Sequence, residues 1–230
     1  MIESSYKHNP APLRYGEYYH IYNRGINGTN IFPRKYNYQY FLNKLQKTLL
    51  PTNEILAYCL LRNHFHILIK VMSWDEIQHW ASQTLPEIDD MALNEKGDFD
   101  LETYQILKAR ILNTKKLLAS SEVAQKNYPS RVISNFCSGY TQAFNKTEER
   151  TGSLFERPFG RVLIEGENHL ATNVVYIHRN PIKHGFTTDI SSWPYSSYHG
   201  YVSPKPSFLN KATILNWFGN QQNFEQSHHV

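Results

Sequence analysis

The chain has 230 residues, a formal charge of +4 and two cysteines, Cys59 and Cys137, in separate apolar contexts. That length suffices for one buried core, and the cysteine usage excludes a disulfide framework or a CxxC metal site, leaving two expected core thiols. No apolar run is long enough for a membrane helix, and the opening MIESSYKHNPAP lacks the charged-then-apolar order of a signal peptide, so an intracellular protein is expected.

Charge is unevenly spread. Residues 1–72 carry nine Lys or Arg against three Glu, residues 73–126 six against ten acidic groups, and residues 127–230 nine against seven. Basic ends around an acidic middle, together with 16 Tyr, 12 Phe and 4 Trp, fit a surface that holds phosphates and stacks bases. Any one of these aromatics taken singly is better explained as core.

Tyr18 to Arg24 (YYHIYNR) alternates as a strand does and stops at Gly25, before the loop chemistry of INGTNIFP. Asn37 to Leu50 places Tyr40, Phe41, Leu45 and Leu49 on a helical stripe ended by Pro51. Glu54 to Leu61 and His64 to Val71 then read as a hairpin turning at Arg62-Asn63. Residues 73–126, with Pro86, Asp89-Asp90 and GDFD at 97–100, read as an acidic insertion carrying a helix or two. Arg131 to Lys146 resumes a helical pattern through Ile133, Phe136, Tyr140 and Phe144. Pro158 to Glu165 is a further strand, and Asn168 to Asn180 a helix closed by Pro181 and Gly185. Beyond it lie WPYSSYHGYV, a Pro-Lys-Pro linker, a short helical patch at TILNWFG and a polar tail whose His228-His229 is expected to be disordered rather than metal-binding.

Without the insertion the order is βαββαβ plus one helix. This predicts an α+β fold: a ferredoxin-like, split βαβ antiparallel sheet with helices on one face. The expected organisation is one domain over residues 1–200, interrupted at about 73–126, with a C-terminal extension over 201–230.

Two constellations carry chemistry. In a strand His64 and His66 leave the same face about 7 Å apart, with Phe65 turned away. On the helix, steps of 100° gather Leu170, Val174 and Ile177 as an apolar stripe and His169, Asn173, Tyr176 and Asn180 as a polar one. Neither signal is specific alone, since strand histidines are often structural.

Together with their flanks they resemble a known family. AYCLLRNHFHILI, GSLFERPFGRV, YIHRNPIKHG and WPYSSYHGY stand in the order seen in the HUH single-strand nucleases, specifically the Y1 transposases of the IS200-like group. The REP-associated tyrosine transposase branch is the nearer match, and the blocks span most of the chain. The resemblance implies that Tyr176 is the nucleophile and that His64, His66 and Asn180 hold a Mg²⁺ or Mn²⁺ ion. It implies cleavage and rejoining of single-stranded DNA beside hairpin repeats through a 5′-phosphotyrosine, in a monomer or homodimer of the bacterial cytoplasm and nucleoid. Two departures from shorter members are the long insertion and Asn180, where those members offer Gln. Phosphate contacts are expected from Arg14, Arg24, Arg34, Lys35, Arg157, Arg161 and Arg179, and base stacking from Tyr19, Tyr22 and Phe159.

A tyrosine hydroxyl titrates near pH 10, so attack at neutral pH requires loss of its proton. His169 is a candidate base, with a capping role as its structural counterpart. Two rival functions remain. A non-catalytic single-strand nucleic-acid binder on the same sheet would carry aromatics where the histidines stand. A small-phosphoester hydrolase would be indifferent to Tyr176→Phe.

Overall fold

A computed structural model describes residues 11–91 and 101–229. The opening segment through residue 10, the run 92–100 with its GDFD motif, and Val230 lie outside the described residues. Four strands form one sheet: β1 (Tyr18–Arg24), β2 (Asn53–Leu61), β3 (His64–Val71) and β4 (Gly160–Ile164). The spatial order is β2-β3-β1-β4, with every neighbouring pair antiparallel, which is the split βαβ arrangement expected. The hairpin turns at Arg62-Asn63 as predicted.

Strand period sorts the side chains into two faces. Tyr19 and Ile21 of β1 lie opposite Ile69 and Ile67 of β3, and Asn23 lies opposite Phe65. Helix α1 (Lys35–Leu49) buries Phe41 and Leu45 on this side, with the Phe41 ring 5.0 Å from Phe65. Helices α2 (Trp74–Met91) and α3 (Leu101–Leu118) form the insertion, and α3 packs on α1 and α2. Helix α4 (Glu122–Thr147) adds Ile133, Phe136, Tyr140 and Phe144, all buried. Cys59 and Cys137 are both buried thiols.

Helix α4 begins nine residues before the predicted start at Arg131, since Ser121 caps its N-terminus with a side-chain bond from the Ala124 amide. Pro129 is tolerated inside it. Proline has no N–H to offer the carbonyl four residues back, and that carbonyl, on Gln125, accepts the Tyr15 hydroxyl at 2.7 Å instead.

The opposite sheet face carries His20 and Tyr22 of β1 with His64 and His66 of β3. Helix α5 (Glu167–Lys183) covers it, burying Leu170, Val174 and Ile177 chiefly against β2 and β3. The crossover helices α1 and α4 thus form the expected layer on one face, while α5 makes a second layer on the other. Its apolar stripe needs a sheet to cover, and the crossover face is already filled. Helix α5 runs past the predicted stop at Asn180 through Pro181. It ends where Gly185 takes φ +70°, with Gly185 N–H bonding the Ile182 carbonyl and Phe186 N–H the Pro181 carbonyl.

The last elements are α6 (Tyr198–Val202), α7 (Lys211–Trp217) and α8 (Gln221–His228). The segment before α6 runs along the edge strand β2: Leu60 N–H bonds the Tyr195 carbonyl and Ser197 N–H the Tyr58 carbonyl. It satisfies edge groups that would otherwise invite pairing with another chain. Leu209, Ile214 and Phe224 join the main core, so the expected disordered tail is instead an ordered helix.

A buried relay ties α8 to α5. His228 Nδ1 donates to the Phe224 carbonyl at 2.6 Å, which leaves Nε2 to accept from His178 Nδ1 at 2.9 Å. His178 Nε2 then accepts the Ser197 hydroxyl at 2.6 Å, and Ser197 Oγ accepts the Tyr58 amide. Every group is satisfied only with both rings neutral. Burial pushes His178 well below the ordinary imidazole range and His228 down to about 4. The unfolded rings take up protons near pH 6.5 and the folded His228 only near 4, so protonation favours unfolding in that window. Stability is expected to be complete above pH 6.5 and to fall between 6.5 and 4; the urea midpoint should decline less steeply there for His228→Phe than for the wild type.

Candidate active site

The two-residue period of β1 and β3 brings four rings to the α5 face. Tyr22 lies opposite His66, and His20 reaches diagonally so that its Nε2 is 2.9 Å from His66 Nδ1. The Tyr176 ring stands edge-on to His66 at 5.8 Å and to His20 at 5.9 Å between centroids. His64 lies 5.2 Å from His66 and 4.7 Å from His184, which follows the last residue of α5. Helix α5 therefore runs alongside the histidine pair. Tyr176 stands at His66 and His184 two turns later at His64, with Asn180 on the helix between those contacts.

A cleft of about 300 Å³ opens beside these rings, lined by His64, His66, Tyr22, Arg24, Glu156 and His184 among others. His64 and His66 at its wall, and His20 behind them, are held neutral. Burial, and then the nearby His184, brings His64 down to about 4; burial and His20 push His66 well below its ordinary value, and burial brings His20 to about 4. Neutral imidazoles are the state that ligates metal.

The donors present suit a cation. His64 Nδ1 is tied to Asn63 Oδ1 at 2.7 Å and His66 Nδ1 to His20, so in each ring Nε2 is the remaining nitrogen. Asn180 is fully buried; its amide nitrogen donates to the Tyr176 carbonyl at 2.8 Å, while its Oδ1 has no hydrogen-bond partner. An orphaned buried oxygen is costly unless something electropositive meets it. Among the described residues no three His, Cys, Asp or Glu side chains gather to hold a metal.

The predicted phosphate contacts separate. Arg24 and Arg157 are exposed, with Arg24 on the cleft and 3.6 Å from Glu156. Arg34, exposed, pairs with Glu148 at 3.3 Å, Lys35 is exposed beside it, and Arg14 is exposed near Glu17. Two also make contacts within the fold. Arg161 lies over the Phe159 ring and donates to the Ala11 carbonyl, and Arg179 donates to the His228 carbonyl. Tyr19 is buried, with its hydroxyl accepting the Arg14 amide, and Phe159 is buried beneath Arg161, so neither offers a free ring face; Tyr22 alone of the three is half open. His169 sits exposed near the start of α5, with Nδ1 accepting the Glu165 amide at 3.4 Å.

His20, His184 and Lys183 were not singled out by sequence. The Lys183 ammonium lies 4.8 Å from the centre of the Tyr176 ring. For His20 a signal existed: it shares its strand phase with Tyr22, but only the β1–β3 register reveals that this phase faces His66.

No protein-family model matches the chain. Over 169 residues it is 27% identical to a Haemophilus influenzae protein whose curated name is "Putative REP-associated tyrosine transposase", covering 73% of this chain and 68% of that protein. A solved structure described as the REP-associated tyrosine transposase bound to a REP hairpin is similar over 88% of each chain, at 16% identity and a TM-score of 0.46. The curated relative bears out the resemblance drawn from the sequence blocks.

One backbone approach shapes the cleft. Gly160 of β4 lies opposite Tyr22, and a Cβ there would stand 2.2 Å from the Tyr22 ring. Gly160→Ala is expected to push that ring aside at a cost of about 1–3 kcal/mol in urea denaturation, and Tyr22→Ala in the same chain should remove most of the added penalty. Equal stability of wild type and Gly160→Ala would mean the ring does not rest there.

Proposed function

We propose that this chain is a DNA transposase of the REP-associated type, which cuts and rejoins single-stranded DNA beside a hairpin through a covalent tyrosine. The observation that carries this reading is the meeting of Tyr176 with His66 across the sheet–helix interface, within one chain. The curated relative supports the same activity.

In the proposed reaction Tyr176 Oη attacks the scissile phosphorus. The Oη–P bond forms, the bond from phosphorus to the 3′-oxygen breaks, and the proton lost by the phenol is balanced by the one gained at the 3′-hydroxyl. The Lys183 ammonium lies over the face of the Tyr176 ring. Attack of another 3′-hydroxyl on the phosphotyrosine reverses these steps and rejoins strands without an external energy source.

His64, His66 and the Oδ1 of Asn180 would hold a Mg²⁺ or Mn²⁺ ion, which when bound supplies positive charge at the phosphate oxygens. Imidazole nitrogens favour Mn²⁺ over Mg²⁺. Arg24 on the cleft, and the exposed Arg157 next to the lining residues Glu156 and Pro158, would take up flanking phosphates, and the Arg24–Glu156 pair is weak enough to yield to one. The narrow fit between sheet and helix favours an unpaired strand.

The test is incubation with hairpin-bearing single strands and Mn²⁺, followed by denaturing electrophoresis. Wild type should give a protein–oligonucleotide adduct, Tyr176→Phe none, and His64→Ala at least a hundredfold less. An adduct that persists in Tyr176→Phe, or no adduct from wild type with any hairpin strand, would sink the proposal.

A further inference from the structure

We infer that His20 is a positioning residue: its Nε2 accepts the Nδ1–H of His66 and thereby turns the lone pair of His66 Nε2 towards the cleft. That role rests on the metal-binding role proposed for His66.

Two buried imidazoles 2.9 Å apart share one hydrogen, and its direction decides what His66 can do. If His20 were the donor, His66 would keep its hydrogen on Nε2 and could not ligate a cation. If His66 is the donor, Nε2 is bare.

Two features of the site favour the second arrangement. His64 repeats the pattern on the same strand, with Nδ1 held at 2.7 Å by Asn63 Oδ1, an atom that can only accept. The His20 ring itself is fixed, lying 5.4 Å from Tyr22 and edge-on to Tyr176 at 5.9 Å, and is only 6% exposed. Outer groups that orient a ligating histidine in this way change metal affinity by about 10–100-fold when removed.

Because His20 also touches Tyr176, lost activity in a variant would not separate positioning of His66 from displacement of the nucleophile. The tautomer does. In metal-free protein carrying ¹⁵N-histidine, two-bond proton–nitrogen correlation spectra should show His66 protonated at Nδ1 and bare at Nε2. In His20→Ala the Nε2–H form should gain population, and Mn²⁺ affinity, read by titration calorimetry, should fall by about 10–100-fold. His20→Gln, whose Oε1 offers an acceptor in place of the ring nitrogen, should restore most of both readings. A wild-type His66 protonated at Nε2, or a folded His20→Ala that binds Mn²⁺ as tightly as wild type, would overturn the assignment. Wild type that binds no Mn²⁺ at all would instead refute the metal role in the proposed function, and the spectrum would still decide which ring donates.

Discussion

The site depends on a polar sheet face being roofed by a helix. Alternation along β1 and β3 leaves His20, Tyr22, His64 and His66 on one side, and an imidazole closed off from water must be neutral and hydrogen-bonded or it destabilises the fold. Helix α5 closes the face with its stripe of Leu170, Val174 and Ile177 and sets Tyr176 edge-on to His66 and His20, while the hydrogen bonds of the rings come from Asn63 and from one another. The position of Tyr176, the proposed nucleophile, is therefore set by the same packing that buries the histidines.

Burial has an electrostatic consequence that differs from ring to ring. His64, partly open, keeps Nδ1 occupied by the neighbouring Asn63, whereas His66, 2% exposed, depends on a strand neighbour for the same service. The elements around the site are themselves braced from outside. Residues 193–197 close the β2 edge, and the histidine–serine relay joins β2, α5 and α8 in one connected set of bonds. Such a set holds α5 on its far side as the sheet holds it on the near side.

Much of this was legible in the residues, and the failures have physical causes. Strand phase is a local property, so the common face of His64 and His66 could be read directly, as could the stripe that puts Tyr176 one turn from Asn180. Register is not local. The pairing of Tyr22 with His66 that delivers His20 is decided by the sheet as a whole, and a histidine in YYHIYNR carries no mark of it. The start of α4 was hidden because the apolar stripe begins well after the Ser121 cap. Arg161 and Arg179 show what charge counting does not see: each also bonds a backbone carbonyl. His228 was misread for a similar reason, since its burial depends on a histidine 50 residues earlier.

That separation also gives the molecule a schedule. Helix α5 leaves the ribosome well before the residues that brace its outer side, and at about 5–20 residues per second the interval is roughly 3–10 s. During it Tyr176 rides on a helix supported by the sheet alone, and the seat of the proposed nucleophile is still unfinished. Only once α8 has been translated and docked is the brace complete.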